Sequence, residues 1–140
     1  MATLYLSLGT NLGDRRSNLD CALELIAGQV GTVVRASDII ETEPWGFASG
    51  NGFLNMAVKV ETELTPLEAL HATQAIERQL GRTEKTVNGQ YRDRLIDIDL
   101  LMYDDVVMNT PELTLPHPLM RKRQFVMRPL EQIAPELVNS

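Results

Sequence analysis

The sequence has one cysteine, Cys21, so no internal disulfide can form, and no Cys/His set has zinc-ligand spacing. No apolar run reaches the ~18–20 residues that span a bilayer. The opening Met-Ala-Thr-Leu-Tyr-Leu-Ser-Leu lacks a positively charged stretch and is only briefly apolar. It is not expected to act as a secretion signal, and a reducing, cytoplasmic setting is expected. Positive charge is scarce: 13 Lys+Arg stand against 19 Asp+Glu, a net charge of −6. That disfavours nucleic acid and anionic membrane as partners, because both are polyanions. A small anion held by a local basic cluster is still allowed. A Gly-x-x-x-x-Gly-Lys-[Ser/Thr] phosphate loop is missing, so any nucleotide must be held by side chains and a cation. Linkers, repeats and low-complexity tracts are missing too. What is there is an ordinary globular balance, 44% hydrophobic and 23% charged in 140 residues. One domain over residues 1–140 is expected, able to bury roughly two-thirds of its unfolded surface.

The periodicities set out the elements. Thr3 to Leu8 alternates, with Leu4, Leu6 and Leu8 on one face of a strand. Gly9 to Asp14 is rich in turn residues and reads as a loop, with Gly9 and Gly13 as its turn glycines. Leu19, Ala22, Leu23 and Ile26 recur at helical spacing, and Gly28 is the expected stop. Thr32 to Thr42 reads as one extended segment. Glu43 to Gly52 breaks the pattern, and Phe53 to Thr62 is a second long strand with Phe53 and Asn55 on one face and Leu54, Met56, Val58 and Val60 on the other. Thr65-Pro66-Leu67-Glu68 is a reciprocal capping box with proline at the first helical position. The helix it opens packs through Ala69, Ala72, Thr73, Ile76 and Leu80 and ends at Gly81, with Leu70, Gln74 and Glu77 on a separate face. Arg82 to Asp93 is polar and aperiodic, Leu95 to Tyr103 is a strand, and Pro111 to Pro118 is irregular. Val126, Met127, Leu130 and Ile133 predict a short terminal helix whose regularity Pro129 compromises. The order β-α-β-β-α-β with a C-terminal helical appendage predicts an α+β, ferredoxin-like antiparallel sheet covered by helices.

Four features bear on chemistry. Asp97-Ile98-Asp99 places two carboxylates on one strand face, ~6–7 Å apart, while Ile96, Ile98, Leu100 and Met102 are expected to point to the core. A solvated face would more often mix Thr, Lys and Glu. Like-charged short side chains repel unless a cation lies between them, and an oxygen-only pair favours Mg²⁺ shared with substrate phosphates. Arg82, Arg92, Arg94, Arg121, Lys122 and Arg123 bracket that strand and suit a triphosphate as a group, although each alone is best read as a solvated charge. His117, between Pro116 and Pro118, reads equally as a site residue or a surface turn histidine, and His71 as structural or solvated. Trp45, Phe53 and Asn55 together suit a flat heterocycle with hydrogen-bonding edges.

These residues resemble the 6-hydroxymethyl-7,8-dihydropterin pyrophosphokinases of folate biosynthesis. The likeness runs from Tyr5-Leu6-Ser7-Leu8-Gly9-Thr10-Asn11-Leu12-Gly13 through Thr42-Glu43-Pro44-Trp45-Gly46, Phe53-Leu54-Asn55 and Gln74-Ala75-Ile76-Glu77. It is most specific at Asp93-Arg94-Leu95-Ile96-Asp97-Ile98-Asp99 and at Leu115-Pro116-His117-Pro118 through Arg123-Gln124-Phe125. The resemblance implies transfer of pyrophosphate from ATP to the pterin's hydroxymethyl group, releasing AMP. It implies that Asp97 and Asp99 hold two Mg²⁺ ions, and that Thr42, Pro44, Trp45, Phe53, Asn55 and Phe125 form the pterin slot. Gln74, Glu77, Ile98, Thr114, His117 and Arg123 would line the ATP site, and Arg82 and Arg94 would sit on a loop closing over the phosphates. The partners implied are those two substrates, with a monomeric protein expected. Tyr91-Arg92-Asp93-Arg94 stands where the family often has Trp-Gly-Pro-Arg, the Arg82–Arg94 loop is about two residues longer, a family loop arginine that helps bind ATP has no clear equivalent around Glu84-Lys85, and Glu112 replaces a frequent arginine.

Three other readings fit the pattern less well. A two-Mg²⁺ nucleotidyl transferase or cyclase also uses carboxylates on an antiparallel sheet, but releases pyrophosphate. A ferredoxin-like nucleic-acid module would carry stacking aromatics and basic residues on its central strands, where this chain has Asp97 and Asp99. A non-catalytic ligand-binding module of the same fold would not consume ATP.

Overall fold

A computed structural model describes residues 1–11, 13–42, 52–81 and 96–138. Its strands are β1 (Ala2–Thr10), β2 (Thr32–Ala36), β3 (Ile40–Thr42), β4 (Phe53–Thr62), β5 (Asp97–Tyr103), β6 (Met108–Asn109) and β7 (Thr114–Leu115). Its helices are α1 (Arg15–Gln29), α2 (Pro66–Gly81), α3 (Gln124–Ile133) and α4 (Pro135–Val138), with a 3₁₀ turn at Met120–Lys122. The main sheet runs β2-β4-β1-β5, every pair antiparallel, and β3 also pairs with β4. β4 thus lies between the two strands joined by α1, and β1 between the two joined by α2. That pair of interlocked split crossovers is the ferredoxin-like arrangement expected from the element order. No helix among the described residues is long and apolar enough to cross a membrane.

The central strand β1 is buried on both faces. Leu4, Leu6 and Leu8 pack with Leu19, Ala22 and Ile26 of α1 and with Ala69 and Ile76 of α2. Full burial of each such leucine contributes about 2 kcal/mol. On the opposite face Tyr5, Ala57 and Leu101 pack against Val126, Leu130 and Ile133 of α3. α3 therefore covers the Tyr5 end of that face, while toward Gly9 the flanking Phe53, Asp97 and Asp99 are only half-buried.

Several expectations need correction. β1 extends beyond Leu8 and takes Gly9 and Thr10 into the ladder, because both pair in register with β4. α1 passes through Gly28 and ends at Gln29, where the Val30 N–H bonds the Ile26 carbonyl. The segment 32–42 is two strands, not one. Ser37 interrupts it by exchanging bonds with Ala57: its N–H donates to the Ala57 carbonyl and its hydroxyl accepts the Ala57 N–H, both at 2.9 Å. Met102 does not follow Ile98 and Leu100 into the helix-covered core. Pairing jumps from Leu6↔Leu100 to Tyr5↔Met102, so Leu101 is an extra residue and the alternation flips. Met102 joins the α3 side, and Tyr103 turns to the other side, its hydroxyl donating to the Leu64 carbonyl at 2.6 Å. Pro129 lies inside a continuous α3 and is buried there. The apolar stripe of Val126, Leu130 and Ile133 against the sheet offsets the hydrogen bond that the proline removes. Residues 111–118 hold β7, which closes a small hairpin with β6. Residues 43–51 and 82–95, expected to be loops, lie outside the described residues, and so do Pro44, Trp45, Arg82 and Arg94.

Candidate active site

One row of residues crosses the sheet on the face shared with α3. Asp97 on β5 pairs with Gly9 on β1, and Gly9 pairs with Asn55 on β4; in the next row Asp99 pairs with Ser7, which pairs with Ala57. Directly paired residues share a face. Asp97 and Asp99 therefore stand on the side of Asn55, while Ile98 and Leu100 sit in the core of the other side. Asn55 and Asp97 are separated by two interstrand spacings, roughly 10 Å. Gly9, between them, has no side chain to fill that gap. A Cβ there would lie 3.2 Å from Asn55 Oδ1 and 3.9 Å from Phe53 Cδ1. Gly9 is thus not a loop residue but the penultimate residue of β1, a gap on the open face. A glycine inside a strand is the signal for such close approach.

On the β4 side the expected heterocycle-binding residues come together in part. Asn55 is buried, and its Nδ2 donates to Thr42 Oγ1 at 2.9 Å, which leaves Oδ1 turned toward Gly9. Thr42 pairs with Phe53 across β3 and β4. Phe125 begins α3, half-buried, with the Arg123 guanidinium 5.5 Å from its ring centroid.

On the β5 side, Ile98, Asp99, Thr114 and His117 line one open cleft of about 260 Å³, together with Leu70, Leu100, Glu112, Leu113 and Pro118. His117 is fixed at both ends of its residue. Its backbone N–H donates to the Leu101 carbonyl at 2.9 Å, and its Nδ1 lies 3.1 Å from the Leu119 N–H, which it accepts. In the neutral ring the proton is therefore on Nε2. Burial holds the His117 pKa below the ordinary histidine value; Arg123 pushes it the same way, and Asp97 opposes both. Glu77 is close by but not in the cleft lining: its Oε2 accepts the Ile98 N–H at 2.8 Å and so ties α2 to the outer edge of β5. Gln74 is exposed on α2 and is not among the lining residues. Arg123 stands at the N-cap of α3, half-buried. Leu70, Leu113 and Glu112 belong to the cleft without having been singled out for it. Leu70 shares the helix face of Gln74 and Glu77, which was the available signal. Glu112, at the rim, has its Oε2 3.2 Å from His71 Nε2, so His71 has a partner.

Among the described residues no group of three or more His, Cys, Asp or Glu could hold an ion by itself. The donor set is two half-buried carboxylates beside an open cleft. This fits Mg²⁺, which keeps waters and is typically held by one or two carboxylates plus substrate phosphates.

The sequence profile of the family described as 7,8-dihydro-6-hydroxymethylpterin-pyrophosphokinase (HPPK) matches residues 5–135. A 2-amino-4-hydroxy-6-hydroxymethyldihydropteridine pyrophosphokinase of Porphyromonas gingivalis is 53% identical over 138 residues, covering 98% of this chain and 94% of that protein. One from Bacillus subtilis is 40% identical over 134 residues, covering 95% of this chain and 78% of that protein. Among solved structures, a Plasmodium falciparum HPPK-DHPS triple mutant superposes with a TM-score of 0.77 at 16% identity over 96% of this chain. An HPPK-DHPS crystal structure in complex with substrates gives 0.75 at 17% identity. The chain spans about 40% of those two solved chains, and the likeness to them is one of fold. The match across 5–135, together with relatives at 53% and 40% identity over nearly the whole chain, shows that the chain belongs to the 7,8-dihydro-6-hydroxymethylpterin-pyrophosphokinase family.

Proposed function

We infer that this chain transfers the pyrophosphoryl group of ATP to the hydroxymethyl group of 6-hydroxymethyl-7,8-dihydropterin, the folate-biosynthetic step of its family. The observation that carries the reading is family membership over residues 5–135 with the carboxylate pair Asp97 and Asp99 intact. We assign Asn55, Thr42, Phe53 and Phe125 to the pterin, with Pro44 and Trp45 from the adjoining loop, and Ile98, Thr114 and His117 to the nucleotide, with Gln74, Glu77 and Arg123 beside them. Arg82 and Arg94 are assigned to the transferring phosphates. Two Mg²⁺ ions, a monomeric state, a single pyrophosphokinase domain over 1–140 and a cytoplasmic setting belong to the same proposal.

The residues divide the work. Asn55, committed through Nδ2 to Thr42, offers Oδ1 as a preset acceptor for the pterin edge. Ile98 and Leu70 give the nucleotide apolar walls, and Thr114 gives it a hydroxyl. His117, with Nδ1 committed to Leu119, can offer Nε2–H to a phosphate or ribose oxygen. Asp97 and Asp99 would hold Mg²⁺, which when bound neutralises phosphate oxygens and steadies the leaving AMP. The Gly9 gap lets the hydroxymethyl group approach from the Asn55 side toward the carboxylate side. Positioning and electrostatics then supply most of the acceleration, as in phosphoryl transfer generally.

Incubation with ATP, Mg²⁺ and the hydroxymethyl dihydropterin tests the reaction. Phosphorus NMR is expected to show AMP and a pterin diphosphate ester in equal amounts. ADP as the primary product would overturn the assignment, and free pyrophosphate would favour the nucleotidyl-transferase alternative.

His117→Asn tests the nucleotide side. Asparagine keeps an acceptor for the Leu119 N–H but loses Nε2–H. The KM for ATP is expected to rise about tenfold, the equivalent of roughly one hydrogen bond to a charged group. The pH dependence has a definite sign. The folded state favours neutral His117, so the unfolded chain binds the proton more readily. The stabilising contribution is complete above the unfolded pKa of about 6.5 and is lost as pH falls through the lower folded-state pKa. Urea unfolding without Mg²⁺ at about pH 7.5 and about pH 5.5 should therefore show a smaller acid loss in His117→Asn than in the wild type. Equal losses would place His117 in an environment like water.

A further inference from the structure

The first turn of α1 carries a cation that the pyrophosphoryl-transfer reading leaves without a task. Gly13, at φ 68°, turns the chain, and Asp14 caps the helix, its Oδ1 accepting the Ser17 N–H at 3.1 Å. That start puts Arg15 at the first helical position. From there one guanidinium nitrogen, Nη1, donates to Glu41 Oε2 at 2.8 Å and to the Gly52 carbonyl at 2.7 Å. Glu41 is the middle residue of β3, and Gly52 immediately precedes β4. One atom thus ties α1 to both strands of the β3–β4 pair just where that pair ends. The contact is close enough to require glycine at 52. A Cβ there would lie 2.8 Å from the Thr42 carbonyl oxygen and 3.1 Å from Glu41 Oε2.

The tie lies behind the wall that carries Thr42, Phe53 and Asn55. Glu41 pairs with Leu54, which packs on the helix-side core, so Glu41 and Leu54 share the face toward α1. Thr42, Phe53 and Asn55 take the opposite face, where Thr42 Oγ1 accepts from Asn55 Nδ2. An exposed ion pair alone contributes little. Here the arginine side chain is 29% exposed against 60% for Glu41, and its second bond goes to a backbone carbonyl, so losing the tie removes two restraints at an end of the β3–β4 pair that the ladder alone must then hold.

We propose that Arg15 is a positioning residue for the pterin: its bond to Glu41 and Gly52 holds the end of β3 on β4 so that Thr42 orients Asn55. The proposal rests on the reading that Thr42, Phe53 and Asn55 receive the pterin. It places the effect on one substrate only, because the nucleotide cleft lies along β5, two strands away.

Steady-state kinetics on the full chain tests it. Arg15→Met is expected to raise the KM for the pterin about tenfold, equivalent to roughly one charge-assisted hydrogen bond, with the KM for ATP changed less than about twofold. Glu41→Gln, which keeps an acceptor oxygen, should stay near wild type, and Glu41→Ala should move in the direction of Arg15→Met. Arg16→Met, an exposed neighbour, controls for the lost charge. Asn55→Ala is the reference for the slot itself. If Asn55→Ala raises the pterin KM and neither Arg15→Met nor Glu41→Ala does, the positioning role is wrong and the slot stands. A parallel rise in both KM values would also overturn it, in favour of a general structural role. If Asn55→Ala leaves the pterin KM unchanged, the slot reading fails and the proposal goes with it. Should Arg15→Met not fold, Glu41→Ala carries the same comparison.

Discussion

Asp97→Ala and Asp99→Ala are each expected to lower kcat by about 10³-fold or more, equivalent to roughly 4 kcal/mol of lost charge stabilisation in the transition state. The two side chains stand on one face of β5, both half-buried, and Asp99 lines the cleft proposed for the polyanionic nucleotide. No third carboxylate, His or Cys among the described residues joins them to form a group that could hold an ion. Losing one carboxylate therefore removes one of the two ligands proposed among the described residues. Stability should respond far less. Without Mg²⁺ the pair consists of two like charges ~6–7 Å apart along one strand, so removing one relieves repulsion, and the melting temperature should not fall much. The contrast is the diagnostic, because a structural role would lower both. Asp→Asn at either position, which keeps the shape and loses the charge, should fall with the alanine variants and not with the wild type. Near-normal turnover of any of these variants at low Mg²⁺ would sink the metal-ligand role.

The parts of this site that could be read in the sequence are those whose signal is local. Asp97 and Asp99 are two residues apart in an apolar strand, and period-two geometry alone puts them on one face. The capping box at the start of α2 is equally local. Thr65 N–H donates to Glu68 Oε1 at 2.8 Å, and Glu68 N–H donates to Thr65 Oγ1 at 3.2 Å, as that spacing predicts. What stayed illegible depends on partners far along the chain. Met102 lands on the unexpected face because β5 carries one more residue than β1 at the bulge, and only the pairing shows this. Ser37 splits the 32–42 strand through Ala57, twenty residues away. Arg15 reads as one of many surface cations until Glu41 and Gly52 are brought to it. Gly9 was the hardest case, because in sequence a glycine followed by Thr10-Asn11 signals a turn. The use proposed for it lies in a missing side chain, which is defined by Asn55 on one neighbour strand and Asp97 on the other.

Gly9→Val is accordingly expected to lower kcat/KM by about 10²-fold, the usual scale for a reacting group displaced by about 1 Å. Valine suits a strand, and the position is half-buried on the open face, so the ladder to β4 and β5 can persist. Its Cβ, however, starts 3.2 Å from Asn55 Oδ1, and the branched methyls extend into the space between the amide and the carboxylates. The loss should fall on the encounter between the substrates. Nucleotide binding in the cleft along β5 should survive, so the affinity for a non-hydrolysable ATP analogue with Mg²⁺ should change less than about threefold, under 1 kcal/mol. Pterin affinity should fall, since the pterin edge and the valine compete for the same side of Asn55. Gly9→Ala should give the same pattern in weaker form, because its single methyl needs Asn55 to yield by only a few tenths of an ångström. Calorimetric titration of each variant with the analogue and with the pterin, beside turnover, separates these effects. If Gly9→Val kept normal pterin affinity and turnover, the passage between Asn55 and Asp97 would not be where the hydroxymethyl group meets ATP. Loss of analogue binding and pterin binding together, with a lowered melting temperature, would instead make Gly9 a purely structural glycine of β1.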